Sequence, residues 1–190
     1  MNVDDFMAAL PPGDLWVFGY GSLIWSPCFR YKARKLGRIH GYHRALCILS
    51  TRYRGTRQRP GLVVGLCPGG SCWGMAYRIR AGDVRRTLSR LWSREMIRRV
   101  YRPRLVPVRL GTRQTVRALA FVADTEHPAC VRELDLQGRA KLVAQGIGQR
   151  GPCVDYIRHT LDHMHDMGVR DPHLERVLHA ALALRQPAER

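Results

Sequence analysis

The order of patterns along this 190-residue chain predicts a single α+β domain with an antiparallel or mixed sheet. Three observations carry the prediction. β-Branched and aromatic runs recur between residues 15 and 124, turn signals rich in Gly and Pro divide them, and helical apolar periodicity dominates beyond residue 135. Strands first and helices last oppose the alternating βαβ order of a parallel sheet. At this length, with 45% hydrophobic residues, the chain can bury a core without disulfide or metal staples. Residues 1–190 therefore read as one domain, with its core at about 15–180 and a short tail at each end.

The first strand is the apolar run Leu15-Trp16-Val17-Phe18, which stops at Gly19-Tyr20-Gly21-Ser22-Leu23-Ile24-Trp25. Gly19 and Gly21 can take positive φ at little steric cost, so the backbone N–H groups there could converge on an anionic oxygen; a plain turn after a strand is the alternative. Residues 33–41 and 42–50 read as paired strands about the corner His40-Gly41-Tyr42. A basic, Gly/Pro-punctuated loop spans 52–61. Residues 62–67 and 72–80 read as a hairpin joined through Pro68-Gly69-Gly70. Gly82-Asp83 opens a helix whose Val84, Leu88, Leu91 and Trp92 fall on one face. Residues 101–110 and 115–124 flank the turn Gly111-Thr112-Arg113-Gln114, and Pro103 and Pro107 argue for an edge or irregular strand. Asp135 caps a helix to about Gln145, Pro152 suits the first turn of the next, which Gly168 ends, and Asp171-Pro172 opens a third.

A formal net charge of +17 makes a nucleic-acid-binding module the rival function class. The charge is almost all arginine, since Lys32, Lys35 and Lys141 are the only lysines. Because the arginines are scattered, and not gathered into a run interleaved with stacking aromatics, the pattern favours a solvated surface that attracts anionic substrates; no nucleic-acid partner is expected. Asp4 and Asp5 stand where a signal peptide would carry bases, and no apolar run approaches 18 residues, so a cytoplasmic protein without membrane contact is expected. Cys28, Cys47, Cys67, Cys72, Cys130 and Cys153 show no C-x-x-C spacing and read as packed thiols.

Generic nucleotide and nucleophile motifs fail. Ile24 stands where G-x-G-x-x-G needs its last glycine, no Gly-Lys-Ser/Thr follows, and Tyr20 and Ile24 replace the glycines of G-x-S-x-G. Ser22 accordingly reads as a loop hydrogen-bonder. The residue placed for chemistry is Glu95, four after Leu91 and three after Trp92, on the apolar face of its helix. Apolar burial there would raise its pKa toward neutrality and suit it to both taking and giving a proton; a structural ion pair with Arg94, Arg98 or Arg99 is the alternative. Tyr156 lies on a comparable stripe with Cys153, Ile157, Thr160, Leu161, Met164 and Met167, and its hydroxyl should find one partner at the core boundary. His159, His163 and His165 lie among Asp155, Asp162 and Asp166 on what reads as a solvated face, so no metal site is expected.

Taken together, the segments Val17-Phe18-Gly19-Tyr20-Gly21-Ser22-Leu23-Ile24-Trp25, Tyr53-Arg54-Gly55 with Arg59-Pro60-Gly61, Gly74-Met75-Ala76-Tyr77-Arg78, Arg94-Glu95 and Gly151-Pro152-Cys153-Val154-Asp155-Tyr156 resemble the ChaC-like, glutathione-specific γ-glutamylcyclotransferases. The resemblance runs from about Trp16 to Leu178. It implies that family's fold, a small mixed or antiparallel β-barrel with surrounding helices and a helical C-terminal part. It also implies degradation of glutathione to 5-oxoproline (pyroglutamate) and Cys-Gly, with Glu95 as general acid/base and no metal, nucleotide or obligate protein partner. By the same resemblance the backbone of Gly21, Ser22 and Leu23 holds the γ-glutamyl end, Tyr20 and Tyr156 shape the pocket, and Arg54 and Gly55 approach the substrate. Tyr53 departs from the His that relatives often carry before Arg-Gly. Other γ-glutamyl peptides or amines remain alternative substrates.

Overall fold

The computed structural model describes residues 2–185. Strands β1 (Leu15–Gly19), β2 (Ala33–Ser50), β3 (Gly61–Ile79), β4 (Tyr101–Leu110) and β5 (Gln114–Ala123) form a closed barrel in the order β1-β3-β2-β4-β5, with an additional β3–β5 pairing. The sheet is mixed. β1–β3, β2–β4 and β4–β5 pair antiparallel, whereas β5 runs parallel to β1 and β3. The helices are α1 (Val3–Ala8), α2 (Val84–Glu95), α3 (Leu136–Gln145), α4 (Cys153–Asp166) and α5 (Pro172–Ala183), so the α+β class and the helical C-terminal part are as expected. Contacts divide the chain into two compact units, Met1–His43 with Leu66–Asp124 and Arg44–Gly65 with Thr125–Arg190.

In the first unit the core is built from alternation and from the α2 stripe. Val17 and Phe18 of β1, Leu88 and Leu91 of α2, and Ala118, Leu119 and Ala120 of β5 are fully buried. The β4–β5 hairpin keeps one register from Tyr101↔Ala123 to Leu110↔Gln114, with Gly111 at φ 63° in the turn. β4 lies inside the closed barrel between β2 and β5, and not at an edge as Pro103 and Pro107 suggested; four residues apart in a strand of period two, the two prolines lack their donor on the same side of the strand. The N-terminal tail expected from sequence is partly a helix. Asn2 and Asp5 cap α1 reciprocally (2.8 and 2.9 Å), and Phe6 stacks on Trp92 of α2 at 5.1 Å. The Asn-x-x-Asp signature was the available signal for it.

Each of the two expected strand pairs forms one uninterrupted extended segment, β2 and β3. β2 continues through Gly41, whose φ of 83° lets the strand bend where an L side chain would be strained. β3 likewise runs through Pro68-Gly69-Gly70. It is antiparallel to β1 at Met75–Ile79 yet parallel to β5 at Leu66↔Val122, and β1 and β5 are themselves parallel. The chain direction of β3 must therefore reverse between Leu66 and Met75, and Gly69 (φ 95°) and Gly70 (φ 69°) lie there. The hairpin expected through Pro68-Gly69-Gly70 is therefore present, and its two arms are the two halves of β3.

In the second unit, Asp135 caps α3 through Gly138 N (2.7 Å) and Asp171 caps α5 through Leu174 N (3.1 Å), with Pro172 in the first turn. Pro152 sits one residue earlier than expected, as the N-cap of α4. Gly168 (φ 70°) follows the end of α4, as expected. Two short strands unforeseen in sequence, β6 (Ile147–Gly148) and β7 (Gly151–Pro152), pair between α3 and α4. Two residues each are too few to carry an alternation signal. An ion pair between Arg44 and Asp171 (3.0 Å), with side chains 5% and 15% exposed, ties the start of this unit's strand to the cap of α5. All six cysteines are free thiols and four are buried. The last part of the expected C-terminal tail, residues 186–190, lies outside the described residues, and no helix among the described residues is long and apolar enough to cross a membrane.

Candidate active site

The first unit carries the loop after β1 and the end of α2. Gly19 and Gly21 do not take the positive φ expected of them. Gly19 is required for a different reason: a Cβ there would come within 2.9 Å of Leu23 Cβ and 3.4 Å of the Tyr77 ring, so only glycine lets the loop fold back on the strand end. The loop closes as a turn through Ile24 N→Gly21 O and Ser26 N→Ser22 O, both 2.8 Å. Those bonds use carbonyls of Gly21 and Ser22 and leave the N–H groups of Gly21, Ser22 and Leu23 outside the turn's own pairing, as at the start of a helical turn. Tyr20 is buried and donates its hydroxyl to Phe121 O of β5 (2.6 Å). The Tyr77 hydroxyl points at the carbonyls of Leu23 (2.8 Å) and Ile24 (3.0 Å), and burial pushes its pKa up to about 12. Two buried tyrosines thus hold the loop at both ends.

Arg94 joins this loop to Glu95. Its Nη2 donates to Ser22 Oγ (2.6 Å), its Nη1 to Ser26 O (2.7 Å), and its Nε lies 3.0 Å from Glu95 Oε1. The side chains of Arg94 and Glu95 are 10% and 18% exposed. Glu95 ends α2, whose apolar stripe anchors the helix and fixes where the carboxylate emerges. Apolar burial is therefore not its sole environment: a guanidinium that favours the charged carboxylate stands beside it. The ion-pair alternative weighed from sequence is present, and the same arginine also grips the loop. Sequence signals named Arg94 only as a neighbour of Glu95, because nothing local shows that a side chain reaches a turn 72 residues away. Ser22 is the loop hydrogen-bonder expected of it.

The second unit carries Arg54, Gly55 and Tyr156. Arg54 is 8% exposed, donates from Nη1 to Pro152 O (3.1 Å), and lies over the Tyr156 ring at 5.5 Å. Burial lowers its pKa, opposed by the facing Tyr156, Cys153 and Asp155, but a guanidinium remains a cation. Among the described residues it makes no ion pair. Its position is set by close backbone crossings. A Cβ on Gly55 would meet Ser50 O at 2.5 Å, and one on Gly146 would meet Arg54 O at 2.5 Å and Gly61 Cα at 2.6 Å. Tyr156 is buried, and its hydroxyl finds a partner as expected, accepting from Val64 N (3.2 Å). Cys153 exchanges bonds with Leu62 O (2.9 Å) and Leu62 N (3.3 Å), and burial pushes its thiol up to about 11, which disfavours the thiolate form a nucleophile uses.

The histidines of α4 are engaged separately. His163 Nδ1 is 2.8 Å from His159 O and His165 Nε2 is 3.1 Å from Glu175, and no group of three potential metal ligands converges among the described residues.

The closed mixed barrel with its helices is a fold shared with solved structures. A yeast γ-glutamyl cyclotransferase specific to glutathione superposes with a TM-score of 0.85, covering 94% of this chain and 100% of that one at 21% identity. The ChaC-like protein family model matches residues 15–183, and the chain belongs to that family. Curated relatives include a glutathione-specific γ-glutamylcyclotransferase of Escherichia coli, 34% identical over 87% of this chain and 72% of its own. A Danio rerio glutathione-specific γ-glutamylcyclotransferase 1 is 34% identical over 98% of this chain and 97% of its own.

Proposed function

We propose that this chain is a glutathione-specific γ-glutamylcyclotransferase, a cytoplasmic lyase acting as a single functional domain without added metal or nucleotide. The observation that carries the proposal is the Arg94 bridge between the Ser22 turn and Glu95, on a chain whose curated relatives bear that activity in their names. In glutathione the α-amine of the γ-glutamyl residue attacks its own side-chain amide carbon. A five-membered lactam forms, the bond to the cysteine nitrogen breaks, and 5-oxoproline and Cys-Gly leave. Nucleophile and electrophile share one molecule, so the protein must bend the substrate, move protons and stabilise the oxyanion.

Glu95 takes a proton from the α-ammonium and returns one to the departing amine. The N–H groups of Gly21, Ser22 and Leu23, which the turn does not use, hold the γ-glutamyl end, and Tyr20 sets the loop against β5. Arg54, Gly55 and Tyr156 enter as substrate-binding residues through the family resemblance; a buried guanidinium without a carboxylate partner suits an anionic substrate.

Incubation with glutathione should release 5-oxoproline and Cys-Gly in equal amounts, and Glu95→Gln should keep the fold while kcat falls by about 10²–10⁴. Absence of both products at high enzyme concentration sinks the substrate. Near-normal turnover by Glu95→Gln sinks the catalytic assignment.

A further inference from the structure

We propose that a groove beside the N-terminal half of α2 binds a small phosphate-type dianion, at a place distinct from the Ser22 turn. The groove has a volume of about 170 Å³ and is lined by Phe29, Arg30, Asp83, Arg86, Thr87 and Arg90. That volume falls below the roughly 300–1,000 Å³ of pockets for larger ligands and suits an inorganic oxyanion or the end of a phosphorylated molecule.

Three guanidiniums and one carboxylate leave the lining at +2, the charge a dianion neutralises. Among the described residues, Arg30, Arg86 and Arg90 make no ion pair, with Asp83 or any other acid; Arg90 Nη1 reaches Cys28 O at a long 3.4 Å. The arginines flank the groove from two segments, Arg30 from the stretch before β2 and Arg86 and Arg90 one turn apart on α2. Such an arrangement offers forked donors from opposite sides, the geometry that guanidinium groups use to grip tetrahedral oxyanions. Thr87 also lines the groove, and its hydroxyl could donate a hydrogen bond to an oxyanion held there. The bound anion would fasten residues 28–30 to the helix on which Arg94 already holds Ser22 and Ser26.

Titration with pyrophosphate and with inorganic phosphate, at ionic strength held constant with chloride, tests the proposal by calorimetry and by Tm. One saturable site and a Tm rise absent with chloride are expected. Arg86→Ser and Arg30→Ser should each weaken binding about tenfold or more, with Arg86→Lys intermediate and the far-UV spectrum unchanged. A Tm response equal to that of chloride overturns the site, and so does binding by both variants at the parent's affinity, which would place the anion elsewhere on the +17 surface.

Discussion

Replacing Arg94 by Met removes the guanidinium and keeps most of the stem. Three contacts disappear together: Ser22 Oγ at 2.6 Å, Ser26 O at 2.7 Å and Glu95 Oε1 at 3.0 Å. A hydrogen bond from a charged donor is worth about 1.5–3 kcal/mol when its partner stays buried. Ser26 is exposed and water replaces its bond, so little is lost there. Ser22 is half-buried and Glu95 retains 18% exposure, so each contributes below the full figure. A stability loss of about 2–3 kcal/mol follows, read from the urea midpoint at unchanged slope. The effect on turnover is larger. Loop and carboxylate lose their common tether, and a displacement of about 1 Å costs about 10²-fold in rate. Glutathione turnover under conditions where the variant is fully folded should therefore show kcat/KM down about 10²-fold, with Arg94→Lys between variant and parent because an ammonium cannot span the fork. A folded Arg94→Met enzyme within about twofold of the parent kcat/KM would refute the bridge as the element that organises the site.

Alkaline stability should fall in two overlapping steps. Cys153 and Tyr77 titrate at about 11 and about 12 when folded, above their ordinary values of 9.0 and 10.0, so between those limits the unfolded chain has lost protons that the native state still holds. Stability is then intact below pH 9 and declines through pH 12, by roughly 1.4 kcal/mol per pH unit for each group; urea midpoints of Tyr77→Phe should lose the upper part of that slope, and an unchanged profile would contradict the burial of the hydroxyl. Gly19→Ala places a Cβ 2.9 Å from Leu23 Cβ and 3.3 Å from the Leu23 carbonyl carbon, backbone that must move. A stability cost of about 1–3 kcal/mol and a fall in kcat are expected, whereas full activity in that variant would show that the loop tolerates displacement.

How much was legible from sequence follows the range of the interactions concerned. The α2 stripe, the Asp135 and Asp171 caps and the β4–β5 hairpin depend on neighbours a few residues away, and each appeared where periodicity and turn chemistry placed it. The glycine pair at 69–70 marks the reversal in β3 because a turn needs positive φ there, whereas Gly41 marks only a bend within β2, a distinction local chemistry does not make. Gly19 was expected to serve a positive φ, while its actual constraint is Leu23 folded back against it. Glu95 was singled out because an acid on an apolar face is conspicuous by itself. Its partner's second function was invisible.

Composition and pattern by themselves determined the α+β class, the helical C-terminal part and the family resemblance, since these rest on residue types and on spacings within single elements. Only the tertiary structure decided that β2 continues through Gly41, that Tyr20 and Tyr77 clamp the first loop, and that Arg94 binds Ser26 and Ser22 across 68 and 72 residues of chain. Long-range contacts form between surfaces that each segment presents only after it has folded, and no local propensity encodes which distant carbonyl or hydroxyl a guanidinium will meet.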